Sequence, residues 1–336
     1  MARCGPAVCR ATEDGAVWIG HMRDPSGSHP FKLPAVDVLG DDASGLPEIS
    51  GHESGAYRDI WYERIGDVGY LHFPFYNGAM GSDQCARLRQ VYVEAREQDT
   101  RVIVLMGGPD YWSNGMHLNL IEAAKSAADE SWRNINAIDD LAYEIINTNN
   151  QLTISAMAGN AGAGGVFLAR AADRVWARSG IILNPHYKDM GNLYGSEYWC
   201  YLMPKYAGAE NTQRISQARL PMGTVEAEKL GLIDARFEGT GDDFIRQIKQ
   251  KAEALAAADD YLQQLEAKQS IRAADEASKP LQQYREQELE KMKLNFYGFD
   301  PSYHVARYNF VYKVPKSRTP LTIAGHRRVA KLRSAS

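Results

Sequence analysis

Val102-Ile103-Val104-Leu105-Met106 runs straight into Gly107-Gly108-Pro109-Asp110-Tyr111-Trp112-Ser113-Asn114-Gly115-Met116-His117-Leu118, and the reading of that junction decides the fold. An uninterrupted apolar run has no polar face to offer water, which predicts a strand buried on both sides, as in α/β architecture. The glycines end the strand, and a helix leaves the turn. The design then repeats: 152–157 is a second apolar strand, and it breaks into Gly159-Asn160-Ala161-Gly162-Ala163-Gly164-Gly165. Two such turns side by side aim backbone N–H groups into one pocket, which can stabilise an oxygen that gains negative charge. Neither turn is a phosphate motif. No Gly-Lys-Ser/Thr ends the first, and Gly162-x-Gly164-Gly165 misses the dinucleotide spacing.

Outward from this pair the pattern is strand, strand, helix. Residues 59–65 and 68–73 read as strands around Gly66-Asp67, and Ser82 reads as the N-cap of a helix reaching about 97. A helix is predicted over 131–147, because Trp132, Ile135, Ile138, Ala142, Ile145 and Ile146 share one face; Asp139-Asp140 then reads as its solvated side. Further helices are predicted over 163–172, 194–206, 241–268 and 280–294, with Gly231 at a helix end after Thr224. Residues 184–191 form a polar, aromatic loop, and Tyr194, Tyr198, Trp199 and Tyr201 read as core or subunit packing. At the start, strands around Glu13-Asp14-Gly15 and a third over 31–39 predict a small β unit, followed by a breaker-rich linker over 41–55. The expected organisation is a β-rich unit and linker at 1–55, an α/β core at 56–240, and a helical region with a basic tail at 241–336.

A net charge of −4 argues against nucleic acid as the partner. No charged-then-apolar leader opens the chain, and no apolar run approaches the roughly eighteen residues a membrane span needs, so a cytoplasmic protein is expected. Cys4, Cys9, Cys85 and Cys200 are scattered, and no second Cys/His pair completes a zinc site; free thiols and no metal are expected. Ser113 has no evident His/Asp relay for a nucleophile.

Trp112-Ser113-Asn114-Gly115-Met116-His117-Leu118, residues 159–173, and Thr224-Val225-Glu226-Ala227 with Gly231-Leu232-Ile233-Asp234 resemble the crotonase (enoyl-CoA hydratase/isomerase) superfamily over about 58–270. That resemblance implies a crotonase-like spiral of ββα units, a coenzyme A thioester as ligand, and an oxyanion hole formed by the backbone N–H groups of Met116 and Gly164. It places the hydratase's two catalytic glutamates at Phe167 and Leu183, which cannot move a proton, so this chain is not expected to be an enoyl-CoA hydratase.

Residues 114–124, 129–136, Leu183-Asn184-Pro185-His186-Tyr187-Lys188, Tyr194-Gly195-Ser196-Glu197-Tyr198-Trp199 and Phe310-Val311-Tyr312-Lys313 are similar to the C-terminal half of the HypX/HoxX hydrogenase-maturation family. Trp18-Ile19-Gly20-His21 and Phe31-Lys32-Leu33-Pro34-Ala35 resemble the small domain linking that family's halves. The implied activity is a lyase that releases carbon monoxide from formyl-CoA, with the formyltransferase half absent here and a separate formyltransferase as an expected partner. Tyr187 and Glu197 are then the catalytic pair. Ser113, Asn114, His117 and His186 are candidates for supporting it. The same pocket is also compatible with a short-chain acyl-CoA hydrolase or acyltransferase, or with a non-catalytic CoA-binding subunit. Homo-oligomers are common in the superfamily, and one is expected as an option here.

Overall fold

The structure, a computed structural model, describes residues 1–51 and 53–315. The basic tail predicted from 316 lies outside these. Strands β1 (Ala2–Cys4), β2 (Ala7–Ala11) and β3 (Ala16–Ile19) form an antiparallel sheet in that order, and Thr12 N–H donates to the Gly15 carbonyl at 2.9 Å across the predicted turn. The third strand expected over 31–39 shrinks to β5 (Leu33–Pro34), paired with β4 (His21–Met22). The chain then turns helical, in α1 (Ala35–Leu39) and α2 (Asp41–Ser44), because Ala35 and Ala43 are buried against Val8. That burial makes helix of residues whose composition reads as strand end and linker.

The body is a six-stranded sheet. β6 (Trp61–Ile65) and β7 (Val68–Phe73) form a hairpin; α3 (Ser82–Arg96) then leads to β8 (Val102–Gly107). Gly81 rather than Ser82 precedes α3: Gln84 accepts the Gly81 N–H at 2.9 Å, while the Ser82 hydroxyl donates to Glu130. After β8 the chain makes β9 (Tyr111–Ser113), α4 (Leu118–Ala123) and α5 (Ala127–Ile146), the last capped by Ser126 and starting earlier than its apolar stripe predicts. The second pass is β10 (Leu152–Met157), β11 (Asn160–Gly162) and α6 (Gly164–Arg170); the third is β12 (Arg174–Arg178), β13 (Ile182–Asn184) and α7 (Trp199–Ala218). β14 (Met222–Gly223), α8 (Thr224–Lys229) and β15 (Ala235–Phe237) complete the strands.

The large sheet has the order β15-β12-β10-β8-β7-β6, parallel except at the β6 edge, and a smaller sheet runs β14-β13-β11-β9. Each repeat therefore contributes one long strand to the first sheet, one short strand to the second, and a helix.

Alternation across β8 explains its apolar run. Ile103 and Leu105 pack with Leu88, Tyr92, Ile138 and Leu141 of α3 and α5, whereas Val102, Val104 and Met106 pack on the other side. There they meet Phe244, Ile248 and Ala252 of α9 (Gly241–Ala256). Each fully buried side chain of this kind contributes ~1.5–3 kcal/mol, so neither face can carry a polar residue cheaply. The single helix predicted over 241–268 is two. α10 (Tyr261–Ser278) begins where Tyr261 turns into the core and donates its hydroxyl to the Arg101 carbonyl. α11 (Leu281–Tyr297) and α12 (Ser302–Val311) follow, and among the described residues no helix is long and apolar enough to cross a membrane.

Candidate active site

β9 and β11 are parallel neighbours, so the two glycine turns are brought edge to edge. Trp112 Nε1 donates to the Gly165 carbonyl at 3.0 Å and pins one turn to the other. Gly115 has φ of +72°, and a methyl there would lie 3.4 Å from the Gly164 nitrogen, so the turns are in contact at the point the sequence marks for the two donors. Gly164 is the first residue of α6, so its N–H has no carbonyl one turn back to bond. Met116 and Gly164 both line a cleft of about 1550 Å³.

Tyr187, Glu197, His117, His186 and Asn114 line the same cleft. Ser113 does not belong to it: the side chain is buried, its hydroxyl donating to Met80 Sδ and accepting the Gly115 N–H at 3.1 Å, which makes it a strut of the turn. Asn114 ties the turn to the Asn77 carbonyl at 2.8 Å. His117 caps α4 by accepting the Leu120 N–H on Nδ1, while its own N–H donates to Asn134. Its Nε2 is buried and has no hydrogen-bond partner among the described residues.

Tyr187 and Glu197 meet. The phenol donates to Glu197 Oε2 at 2.5 Å and to the Ser196 carbonyl at 3.0 Å. Glu197 is not on a helix, as the periodicity around 194–206 suggests; it and Tyr198 sit in a left-handed turn with φ of 61° and 59°, just ahead of α7. That conformation costs an ordinary residue about 1 kcal/mol or more, so something must hold it. Two carboxylates do. Asp139 accepts the Glu197 N–H at 2.9 Å and the Ser196 hydroxyl at 2.8 Å; Glu288 accepts the N–H groups of Tyr198 and Cys200 at 3.0 and 2.7 Å. Asp139 is thus 0 % exposed, not solvated. It lies one helical turn after Ile135 and just before Ala142, inside the apolar stripe of α5, and that misfit is the signal of its burial. Glu288 is likewise embedded between Leu281 and Met292 on the buried side of α11.

Crowding three carboxylates away from water raises their proton affinity. Burial, reinforced by the Asp139 charge, pushes Glu197 up to about 8, with the Tyr187 hydroxyl pulling the other way. Burial pushes Asp139 up to about 6 against the attraction of Arg285, and Glu288 goes well above the usual carboxylate range. Burial and the Glu197 charge lift Tyr187 far above the ordinary phenol, so it stays a neutral donor. Burial pushes His117 down to about 4, helped by neighbouring His21, which burial brings to about 4 as well; burial also lowers His186.

These shifts set a pH dependence of stability. Each raised carboxylate binds its proton more tightly folded than unfolded, so stability is lost as pH rises through about 6 for Asp139 and about 8 for Glu197. The lowered histidines contribute the opposite, stability that is complete above their ordinary 6.5 and lost as pH falls towards 4. Above 6.5 the carboxylates act alone among these groups. Thermal unfolding followed by circular dichroism is therefore expected to show a falling Tm between pH 6.5 and 8, with a shallower fall in Glu197→Gln; a Tm that rises across this window contradicts the assignment.

The family profile described as enoyl-CoA hydratase/isomerase matches residues 71–299. The chain belongs to this family. An enoyl-CoA hydratase from Bacillus halodurans shares the fold, with a TM-score of 0.65 at 18% identity over 75% of this chain and 99% of that one. The hydrogenase maturation factor HoxX of Bradyrhizobium diazoefficiens is 59% identical over 97% of this chain and 57% of its own length. HypX from Aquifex aeolicus, solved in complex with tetrahydrofolic acid, superimposes with a TM-score of 0.92 at 48% identity, over 97% of this chain and 59% of that one. The chain thus spans little more than half the length of these relatives, of which it is a homologue.

Within the enoyl-CoA hydratase/isomerase family this member has apolar side chains where the resemblance puts the hydratase acids. Phe167 is buried and its ring stacks on Tyr187 at 5.5 Å, and Leu183 is fully buried in β13. Proton carriers of the 187–197 segment line the cleft together with His117 of the first turn. A methyl added at Gly164 would run into the Glu197 carboxylate, so the carboxylate rests directly against a glycine that lines the cleft.

Proposed function

We propose that this chain is a lyase that releases carbon monoxide from formyl-CoA. The observation that carries the reading is the buried Tyr187–Glu197 pair set against Gly164 at the meeting point of the two turns. Decarbonylation of a formyl thioester breaks the formyl C–H and C–S bonds. The proton leaves to a base, the C–H pair stays on carbon as carbon monoxide forms, and the sulfur departs with its pair and is protonated. Glu197, with a proton affinity close to neutral pH, suits both removing that proton and returning it to sulfur. Tyr187 holds the carboxylate and donates from its hydroxyl, while the N–H groups of Met116 and Gly164 hold the acyl oxygen.

The donor set of the cleft supports a CoA thioester. Lys188, Arg219 and Lys313 line it and supply countercharge for phosphates, and apolar Met190 and Leu193 lie alongside. The naming of the Bradyrhizobium relative as a hydrogenase maturation factor supports delivery of the carbon monoxide to a metal centre. The tetrahydrofolic acid bound by the Aquifex relative supports a one-carbon donor, with a formyltransferase delivering the formyl group to this site. Purified protein incubated with formyl-CoA is expected to yield carbon monoxide and free CoA in equal amounts, read by haem binding and thiol titration. Formate without carbon monoxide would indicate a hydrolase.

A further inference from the structure

We propose that Asp139 is a positioning residue for Glu197: it locks the left-handed turn that carries Glu197 against Gly164 and sets a like charge behind that carboxylate. The residue lies on α5, outside the lining of the cleft, so it acts through Glu197 and not on ligand. Its two oxygens are divided, Oδ1 accepting the Glu197 N–H at 2.9 Å and Oδ2 the Ser196 hydroxyl at 2.8 Å. Ser196 shares its hydroxyl with Glu288 at 3.3 Å, so the carboxylates from α5 and α11 are linked through one side chain, while the Ser196 N–H donates to Glu197 Oε2 at 3.2 Å. Only an acceptor of two bonds on a rigid helix can hold both the Glu197 backbone and the Ser196 side chain at once. A water or a neutral amide would satisfy at most part of this.

The charges that face Glu197 work together with this geometry. Tyr187 donates from its own loop, Asp139 stands behind the backbone, and Glu288 closes the site from α11. Arg285, also on α11, reaches Asp140 at 2.7 Å and stands 3.9 Å from Asp139, so it offsets only part of the negative charge. The buried Cys85 thiol of α3 and the Cys200 thiol of α7 are both held protonated by burial, the first with help from Glu197 and the second from Glu288. Beyond burial, the Asp139 charge raises the proton affinity of Glu197 and of Glu288 alike, and of these two it is Glu197 that stands against Gly164.

The inference rests on the decarbonylase reading for its rate measurement alone. Infrared difference spectra of the full chain resolve protonated carboxyl groups, and Glu197→Gln identifies the band of Glu197. Asp139→Asn keeps the shape and removes the charge; the pH midpoint of the Glu197 band is expected to fall by about one unit or more, the effect of losing a like charge at close range. Asp139→Ala, which also frees the turn, is expected to lower kcat by about 10²-fold with KM for formyl-CoA unchanged, the cost of misplacing a reacting group by about 1 Å. Ser196→Ala keeps the charge, and its midpoint is expected to stay close to that of the unaltered protein. Should Asp139→Ala fail to fold, the other two variants decide the matter. An unchanged midpoint in Asp139→Asn overturns the inference. Absence of carbon monoxide from the unaltered protein would instead overturn the decarbonylase reading, while a moved midpoint would still sustain the role of Asp139.

Discussion

Carbon monoxide release by Glu197→Gln is expected to fall by about 10²–10⁴-fold, the range for loss of a group that moves a proton in the rate-determining step. The substitution is a clean one. Glutamine has the same shape, and its amide oxygen can still accept the Tyr187 hydroxyl and the Ser196 N–H that Glu197 Oε2 now accepts at 2.5 and 3.2 Å. CoA binding, measured by calorimetry, should therefore persist, because the countercharges at Lys188, Arg219 and Lys313 are untouched. Tyr187→Phe removes one donor to a charged group, worth about 1.5–3 kcal/mol, and should slow release by about 10–10²-fold. In the unaltered protein the rate should climb with pH towards about 8, as more of Glu197 loses its proton and can act as base. Unimpaired release in Glu197→Gln would sink this assignment, whatever the behaviour of Tyr187→Phe.

Gly164→Ala is expected to lower activity by about 10²-fold or more for a different reason, that of space. The added methyl would overlap the Glu197 carboxylate, which cannot move without losing its contacts: Glu197 is 1 % exposed, held by Tyr187 at its tip and by Asp139 at its backbone. Either Glu197 swings away from Tyr187 or α6 shifts and carries the Gly164 N–H off target. Both outcomes misplace a reacting group by about 1 Å, which costs about 10²-fold or more in rate. Stability should suffer less, by about 1–3 kcal/mol for a single overpacked methyl, as measured by urea unfolding. An alanine variant as active as the unaltered protein would mean that Glu197 does not work beside this turn.

Much of the fold is legible in the chain. Tandem apolar strands ending in glycines mark the two turns, since buried β8 and β10 have no polar face and the turns have little Cβ to keep them apart. The motifs around them carry the resemblance to the enoyl-CoA hydratase/isomerase family, and β7 and β10 fall on their predicted bounds. Misreadings cluster where tertiary contact overrides local preference. Burial against Val8 makes α1 and α2 out of an expected strand and linker, and Tyr261 breaks one amphipathic helix into α9 and α10. Glu197 reads as helical because Tyr194, Tyr198 and Tyr201 have helical spacing, yet hydrogen bonds to Asp139 and Glu288 hold its backbone left-handed.

The family, the two glycine turns, the want of acids at Phe167 and Leu183, and the residue types Tyr187 and Glu197 are all written in runs of neighbouring residues. They are local properties, and reading along the chain suffices for them. That Asp139, on α5, and Glu288, on α11, close around Glu197 is a fact of folding in three dimensions. Proton affinity depends on burial and on charges that are neighbours in space, and the residues supplying them here are separated by long stretches of chain.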